Sequence, residues 1–239
     1  METTLPGVAA ARDRVTASGR RVEARWLGRI GYERGLALQR EAAERVSRGG
    51  TETLLLLEHE PVFTLGRNAT AADVLFTPVK RRELDIALYE TDRGGKVTYH
   101  GPGQLVGYPV LNLDPDRRDV RRYVRDLEDV LIRTLADFEV PAARSSRPER
   151  LSSVWVEDDK IAAIGVHLSR WITTHGFALN VTNEPLPYFG GIVPCGITDG
   201  GVTSIERSRG RRIEPREVAS ALVQRFAEAF GRETELVEP

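Results

Sequence analysis

The sequence predicts a single α/β (or α+β) domain in which helices pack on a mixed β-sheet. Three observations lead to this prediction: a length of 239 residues, near-average apolar and charged fractions of 41% and 29%, and strand-like apolar runs between amphipathic helical segments. This length suits one domain with a substantial core, and the composition argues against disordered, collagen-like and coiled-coil chains. We assign residues 22–239 to the domain and residues 1–21, which lack an apolar period, to a flexible N-terminal extension.

Three segments have the apolar spacing of helices. Residues 32–46 carry an apolar stripe that ends before Gly49 and Gly50. Residues 119–138 repeat apolar side chains every three or four positions, with Asp119 as the expected N-cap. Residues 215–230 begin at a proline and repeat apolar residues at four-residue intervals. We expect these three helices to cover the sheet.

The predicted strands lie between these helices. They cover residues 53–58, 61–66, 87–91, 105–113, 154–156, 160–168 and 174–181. We expect Pro109 to interrupt the fourth of them and residues 157–159 to turn the fifth into the sixth as a hairpin. The segment 185–201 is rich in proline and glycine, which predicts a loop.

Charge and hydropathy limit the classes of partner. The formal net charge is -1, so no whole-protein field attracts nucleic acid or an anionic membrane. The longest apolar run, Leu54 to Leu57, is far shorter than the ~20 residues of a membrane helix, and residues 1–21 lack the apolar centre of a signal peptide. We therefore expect a cytoplasmic protein that binds neither nucleic acid nor membrane.

Residues 93–104 form a glycine-rich segment in which Arg, Lys, Thr, Tyr and His lie between four glycines, at positions 94, 95, 101 and 103. Glycines at this density let the backbone approach a ligand closely and expose its N–H groups. The spacing matches neither a phosphate-binding P-loop nor a dinucleotide fingerprint. We interpret the segment as a ligand-binding loop rather than a simple turn between strands, because loops often carry function.

The single cysteine, Cys195, lies between a proline and a glycine in a predicted loop. It is either a nucleophile or a buried structural thiol, because reactivity depends on a lowered pKa that residue types do not determine. A nucleophile needs a proton acceptor, and the candidates are His59, His100, His167, His175 and Lys160. Lys160 precedes the apolar run 161–165, where partial burial would suit it to proton transfer.

Four motifs together carry a family resemblance. They are RGGKVTYHGPGQ at 93–104, KIAAIG at 160–165, HGFALN at 175–180 and PCG at 194–196. In this order and at these separations they resemble the octanoyltransferases of lipoate biosynthesis, the enzymes of the lipoate-protein ligase B type. The resemblance extends from about Val22 to the C-terminus and leaves the N-terminal extension outside it.

The resemblance implies a fold shared with biotin and lipoate protein ligases, and a catalytic pair of Cys195 and Lys160. Cys195 would carry the acyl group as a thioester, while Lys160 would lower the pKa of that cysteine and move protons. The implied acyl pocket consists of Arg93, Gly94, Gly95, Lys96, Val97, Thr98, Tyr99, His100, Ala163, Ile164, Gly165, Gly176, Phe177 and Ala178.

The reaction that the resemblance implies moves an octanoyl group from octanoyl-acyl carrier protein to a lysine of a lipoyl domain. The acceptors would be the lipoyl domains of 2-oxoacid dehydrogenases and glycine cleavage proteins. A thioester donor is already activated, so we expect no cofactor, neither ATP nor a metal ion. Two alternatives stay open: an ATP-dependent lipoate or biotin ligase of the same fold, and a non-catalytic acyl-binding module.

Two groups of arginines are candidates for binding an acidic carrier protein. The first group is Arg117, Arg118, Arg121, Arg122 and Arg125, and the second is Arg144, Arg147 and Arg150. The alternative for each group is a charged helix or loop surface that only faces solvent.

Overall fold

The computed structural model describes residues 19–145, 147, 152–193 and 200–237. Its strands are β1 (Arg21–Ile30), β2 (Glu52–His59), β3 (Val62–Leu65), β4 (Ala87–Glu90), β5 (Val97–His100), β6 (Gln104–Val110), β7 (Ala143–Arg144), β8 (Ser153–Val156), β9 (Asp159–Ser169), β10 (Ile172–Asn180) and β11 (Glu233–Val237). Its α-helices are α1 (Tyr32–Ser47), α2 (Pro78–Glu83), α3 (Val120–Asp137), α4 (Ile205–Arg209) and α5 (Pro215–Phe230). Short 3-10 turns cover Ala71–Asp73 and Leu186–Gly191.

The strands of the described residues form two sheets. The larger sheet has eight strands in the order β11-β1-β2-β6-β10-β9-β8-β7. Strand β1 pairs in parallel with both of its neighbours, and the remaining pairs are antiparallel. The smaller sheet has the order β4-β3-β5. The predicted mixed sheet with packed helices is therefore confirmed, and the second sheet is an addition to it.

The core lies on both faces of the large sheet. Strand β2 shows this directly, because Leu54 and Leu56 belong to the main apolar cluster beneath α3 and α5, while Leu55 and Leu57 pack on the opposite face. A central strand that is buried on both faces has an unbroken run of apolar residues, and this run made β2 recognisable in the sequence. Within the part of the chain that the structure describes, no helix is long and apolar enough to cross a membrane.

The three predicted helices are confirmed as α1, α3 and α5. The carboxylate of Asp119 accepts hydrogen bonds from the backbone N–H groups of Arg121 and Arg122, at 2.9 and 3.0 Å. It therefore caps α3 as expected and satisfies two of the donors that a helix N-terminus leaves without partners. Helix α5 has Pro215 in its first turn and ends before Gly231, whose φ of 59° is left-handed.

The predicted interruption at Pro109 is wrong, because β6 continues through this residue. The pairing of β6 with β10 ends at Gly107, opposite Phe177. Pro109 stays paired with Leu54 of β2, and its carbonyl faces β10, where it accepts the Thr173 hydroxyl at 2.7 Å. The missing N–H of Pro109 lies on this same side, where the ladder has ended, so it breaks no ladder hydrogen bond. Strands β1, β5, β7 and β11 and helices α2 and α4 were not predicted, and β5 lies inside the glycine-rich segment.

The start of the folded domain differs slightly from the predicted boundary. Strand β1 begins at Arg21, and Arg20 donates to the carbonyls of Asn112 and Asp114 at 2.8 and 2.7 Å. Arg20 and Arg21 both belong to the segment 1–21 that was assigned to the extension. Their contacts are polar, so no apolar pattern in the sequence predicts that they belong to the fold. Residues 1–18 of that segment lie outside the described residues.

Candidate functional site

A cavity of about 270 Å³ lies between the large sheet and the glycine-rich segment. Strands β9 and β10 form its floor, and their register places Ala163 opposite Ala178 and Gly165 opposite Gly176. Side chains alternate between the two faces of a strand, and Ile164, between the two small residues of β9, belongs to the main core as well as to the cavity lining. Small residues of both strands therefore meet on the cavity side, which leaves an apolar space of the size of a small ligand. We call this space the acyl cavity.

The roof of the acyl cavity is the glycine-rich segment, which lies directly on β9. The N–H of Gly94 donates to the carbonyl of Val166 at 2.9 Å. A Cβ atom at Gly165 would lie 2.9 Å from the carbonyl oxygen of Gly94, closer than a side chain tolerates. Glycine at position 165 is thus needed for the roof and floor to meet.

Arg93 holds this roof in place from inside the protein. Its buried guanidinium donates from Nη2 to the carbonyl and hydroxyl oxygens of Thr64, at 2.7 and 2.8 Å, and from Nη1 to the carbonyl of Gly94 at 3.0 Å. Arg93 therefore connects β3 of the small sheet to the segment that covers the cavity.

The residues predicted for the acyl pocket line this one cavity, with the exception of Tyr99. Tyr99 is fully buried in the small sheet, where its ring stacks on Tyr188 at a centroid distance of 4.8 Å. The reason is the alternation of β5: Thr98 and His100 line the cavity, so Tyr99 between them points to the other face. Tyr99 thus supports the wall without lining it.

A chain of buried polar side chains, which the predicted pocket omits in part, runs along one side of the cavity. His100 Nδ1 lies 2.7 Å from Gln104 Oε1, and Gln104 Nε2 donates to Asn180 Oδ1 at 2.9 Å. Asn180 Nδ2 donates in turn to the carbonyl of Thr203 at 3.0 Å. Gln104 and Asn180 end two of the sequence motifs, which was the available signal for them. A satisfied network of this kind fixes its members in one arrangement.

Lys160 lines the acyl cavity near the start of β9 and is half-buried, so the expected partial burial is confirmed. Its ammonium Nζ lies 5.3 Å from the centroid of the Trp155 ring, within the range of a cation–π interaction. Its backbone pairs with residues 201–203: the Lys160 N–H donates to Gly201, and Thr203 donates to the Lys160 carbonyl, both at 3.0 Å.

Cys195, together with Pro194 and Gly196, lies outside the described residues. The described residues on either side of it in the sequence are close to the cavity. Ile192 and Val202 both line it, and Val202 forms a β-bridge with Lys160. Described cavity-lining residues therefore lie three positions before Cys195 and seven positions after it in the sequence.

Three of the histidines that compete for the base role are buried. Burial lowers the pKa of His59 to about 4 and the pKa of His100 to about 3, and it also lowers the pKa of His175. All three are therefore neutral at pH 7 and are weak bases. His59 is held further by the hydroxyl of Tyr108, 2.7 Å from its Nε2.

Known proteins with similar sequences agree in their activity. Residues 31–227 match the family model described as the lipoyl protein ligase A/B catalytic domain. The octanoyltransferase of Myxococcus xanthus is 48% identical over 87% of this chain and 59% of its own length. The octanoyltransferase of Solibacter usitatus is 49% identical over 86% of this chain and 91% of its own length.

Solved structures support the fold independently. A putative lipoate protein ligase from T. acidophilum with bound lipoic acid superposes with a TM-score of 0.73, covering 92% of this chain and 90% of that one. At 16% sequence identity, this similarity shows the fold alone. The family model spans most of the chain, and the Solibacter relative is matched over nearly all of its length. We conclude that the chain belongs to the lipoyl protein ligase A/B catalytic-domain family and, within it, to the octanoyltransferases, which are acyltransferases.

Proposed function

We propose that this acyltransferase moves an octanoyl group from octanoyl-acyl carrier protein to a lysine of a lipoyl domain, through a thioester on Cys195. The acceptors would be the lipoyl domains of 2-oxoacid dehydrogenases and glycine cleavage proteins. One observation carries the proposal: Lys160 lines the same apolar cavity as Ile192 and Val202, which flank the Cys195 segment in the sequence. The names of the relatives support octanoyl as the acyl group.

The first half-reaction forms the acyl-enzyme. The sulfur of Cys195 attacks the thioester carbonyl, so a new carbon–sulfur bond forms and the bond to the carrier thiol breaks. Lys160 accepts the proton of the Cys195 thiol and returns a proton to the departing carrier thiolate. The octanoyl chain occupies the acyl cavity, with its carbonyl at the Lys160 end.

The second half-reaction releases the product as an amide. The amine of the acceptor lysine attacks the carbonyl of the acyl-enzyme, the new carbon–nitrogen bond forms, and the carbon–sulfur bond to Cys195 breaks. Lys160 removes the proton that the amine loses, and the Cys195 thiol is restored. Each step exchanges one acyl bond for another, so the thioester itself supplies the free energy.

The environments of the histidines favour Lys160 as the proton carrier. Burial lowers the pKa values of His59, His100 and His175, so each of them binds a proton less readily than an exposed histidine does. His100 also has Nδ1 engaged by Gln104. Lys160 is half-buried on the cavity wall, beside the strand segment that follows Cys195.

The test is transfer without ATP. Purified protein is mixed with octanoyl-acyl carrier protein and an unmodified lipoyl domain, and intact masses are measured with and without ATP. We expect octanoylation of the lipoyl domain in both mixtures and an octanoyl adduct on the enzyme when the acceptor is omitted. Modification only with free octanoate and ATP would instead identify a ligase. The absence of any covalent product would indicate an acyl-binding module.

The carrier protein needs a docking surface near the Lys160 end of the cavity. Val124 of α3 lines the cavity, and Arg121, Arg122 and Arg125 lie exposed beside it on the same helix. Among the described residues, these three arginines form no ion pair within 4 Å. We define them as the α3 arginine patch and propose that it binds the acidic carrier, because opposite charges steer and align protein partners.

The other predicted arginines are less suitable for docking. Arg117 is buried, forms an ion pair with Asp126 and lies over the Phe230 ring, so it is not accessible to the carrier protein. Arg118 pairs with Asp114 at 2.6 Å, and Arg144 pairs with Glu128 and Asp129 at 2.7 and 2.5 Å. Arg147 is exposed, and Arg150 lies outside the described residues.

Charge reversal tests the patch. We expect the double variant Arg122→Glu with Arg125→Glu to lower kcat/KM for octanoyl-acyl carrier protein by at least about tenfold at low salt, because unlike charges become like charges. Transfer from a small uncharged octanoyl thioester should change less than about twofold. The control is Arg133→Glu, on the same helix but two turns further along, which should affect neither donor. Equal losses with both donors would contradict docking at this patch.

A further inference from the structure

The acyl cavity ends at a group of polar side chains that separates it from a second cavity. This second cavity, of about 950 Å³, is a surface groove between α1 and the β9–β10 hairpin. Three segments of the chain, at residues 92–93, 166–167 and 175, lie at the boundary between the acyl cavity and the groove. Arg93 and Val166 line the acyl cavity whereas their neighbours Asp92 and His167 line the groove, and His175 lines both.

Asp92, His167 and His175 meet at this boundary, with a hydrogen bond between Asp92 and His175, and we call them the partition. Asp92 Oδ1 lies 2.8 Å from His175 Nε2, and Asp92 Oδ2 lies 3.5 Å from His167 Nε2. Arg67 donates from Nη2 to His167 Nδ1 at 2.8 Å, so His167 carries its proton on Nε2, facing Asp92. The carboxylate of Asp92 is thus hydrogen-bonded to the imidazole of β10 and lies close to that of β9.

His175 has an unusual backbone for a residue within a strand. Its φ is 57°, in the left-handed region, and its N–H donates to Gln39 Oε1 at 2.6 Å rather than to a neighbouring strand. The side chain is 4% exposed, and burial lowers its pKa, so it presents a neutral ring to an apolar cavity. A left-handed non-glycine residue is held by its surroundings at some cost in free energy, and such positions are frequent at ligand sites.

The floor of the acyl cavity between Lys160 and Gly165, the last floor residue before the partition, is long enough for the proposed substrate. Five residues of β9 separate Lys160 from Gly165, or about 16 Å at about 3.3 Å per residue. An extended octanoyl chain spans roughly 9 Å, with C–C bonds of about 1.5 Å, and its thioester group needs further length at the Lys160 end. A twelve-carbon chain is about 5 Å longer and would meet the partition.

We propose that the partition is the end stop that selects acyl chain length, with the His175 imidazole as the contact surface and Asp92 as the residue that positions it. The orientation of the chain rests on the proposed function, which places the carbonyl at Lys160. Each methylene that becomes buried raises affinity about fourfold, so an apolar cavity without a stop would favour longer chains. Selectivity for an eight-carbon chain therefore requires a rigid end to the cavity that longer chains cannot displace.

The test removes the side chain that closes the end of the acyl cavity. His175→Gly removes the imidazole and suits the left-handed backbone. We expect the ratio of dodecanoate to octanoate affinity, measured by calorimetry, to rise at least about tenfold, and the same ratio of kcat/KM for the two acyl thioesters to rise in parallel. The matched control is Arg170→Gly, which also replaces a left-handed residue (φ 48°) and lines the groove but not the acyl cavity. It should leave both ratios within twofold of the parent.

Asp92→Ala provides a second route that leaves the strand intact. It frees the imidazole, so the ratio should move in the same direction by at least about threefold. An unchanged ratio in folded His175→Gly, or in Asp92→Ala if the first variant does not fold, would overturn the end stop. Calorimetry measures binding without turnover, so it tests the end stop independently of the proposed transfer function. Transfer by the parent with unchanged ratios defeats the end stop alone, and shifted ratios without transfer by the parent defeat the proposed function alone.

Discussion

Replacement of Cys195 with serine is expected to abolish octanoyl transfer, with a loss in kcat of at least about a thousandfold, while the protein stays folded. The change replaces one atom with a smaller one of the same valence, but a hydroxyl is a far poorer nucleophile than a thiolate at neutral pH. Intact mass should show an octanoyl adduct on the parent incubated with octanoyl-acyl carrier protein and none on the variant.

The control for this variant is ligand binding. The acyl cavity is lined by described residues of β5, β6, β9 and β10, so Cys195→Ser should bind octanoate with nearly the affinity of the parent and melt at nearly the same temperature. Loss of transfer with unchanged binding then assigns the defect to chemistry. Transfer by the serine variant within a few fold of the parent rate would rule out the acyl-cysteine intermediate.

The parts of the fold that the sequence predicts are those with a local physical signal. Helices α1, α3 and α5 repeat apolar residues at helical spacing, and Asp119 is a typical cap, so they were found with their ends nearly in place. Strand β2 was found because it is apolar on both faces. Strand β11 lies at the edge of the sheet and β1 lies next to it, and both were missed because they alternate polar with partly buried residues.

Within the candidate site, the sequence predicts only the residues that belong to the recognised motifs. Tyr99 was placed in the pocket because the family resemblance implied every residue from 93 to 100, and the alternation of β5, a strand that was not predicted, turns Tyr99 away from the cavity. The partition was not predicted at all. Asp92 and His175 are 83 positions apart in the sequence, and their contact depends on how the small sheet packs on β9 and β10, for which neither residue carries a local signal.

Lys160→Arg should separate the two tasks that the proposal gives to Lys160, which are to place a positive charge near the sulfur and to carry protons. A guanidinium keeps the charge and still stacks on Trp155, but it stays protonated at every relevant pH. We therefore expect alkylation of Cys195 by iodoacetamide to begin at the same pH as in the parent, while octanoyl transfer falls by at least about a hundredfold. Lys80→Arg, on the exposed face of α2 where it pairs with Glu83, is the control and should change neither measurement.

Lys160→Met completes the comparison, because it removes the charge as well. Without a nearby cation the thiolate is less favoured, so alkylation should begin at higher pH than in the parent, and transfer should stay low even at a pH where the sulfur is fully ionised.

His100→Gln and His175→Gln should reduce transfer through the shape of the cavity while the acyl-enzyme still forms. Full transfer by Lys160→Arg would mean that Lys160 supplies charge alone. The proton carrier would then have to be sought first at His100 and His175, despite the lowered pKa values that burial gives them.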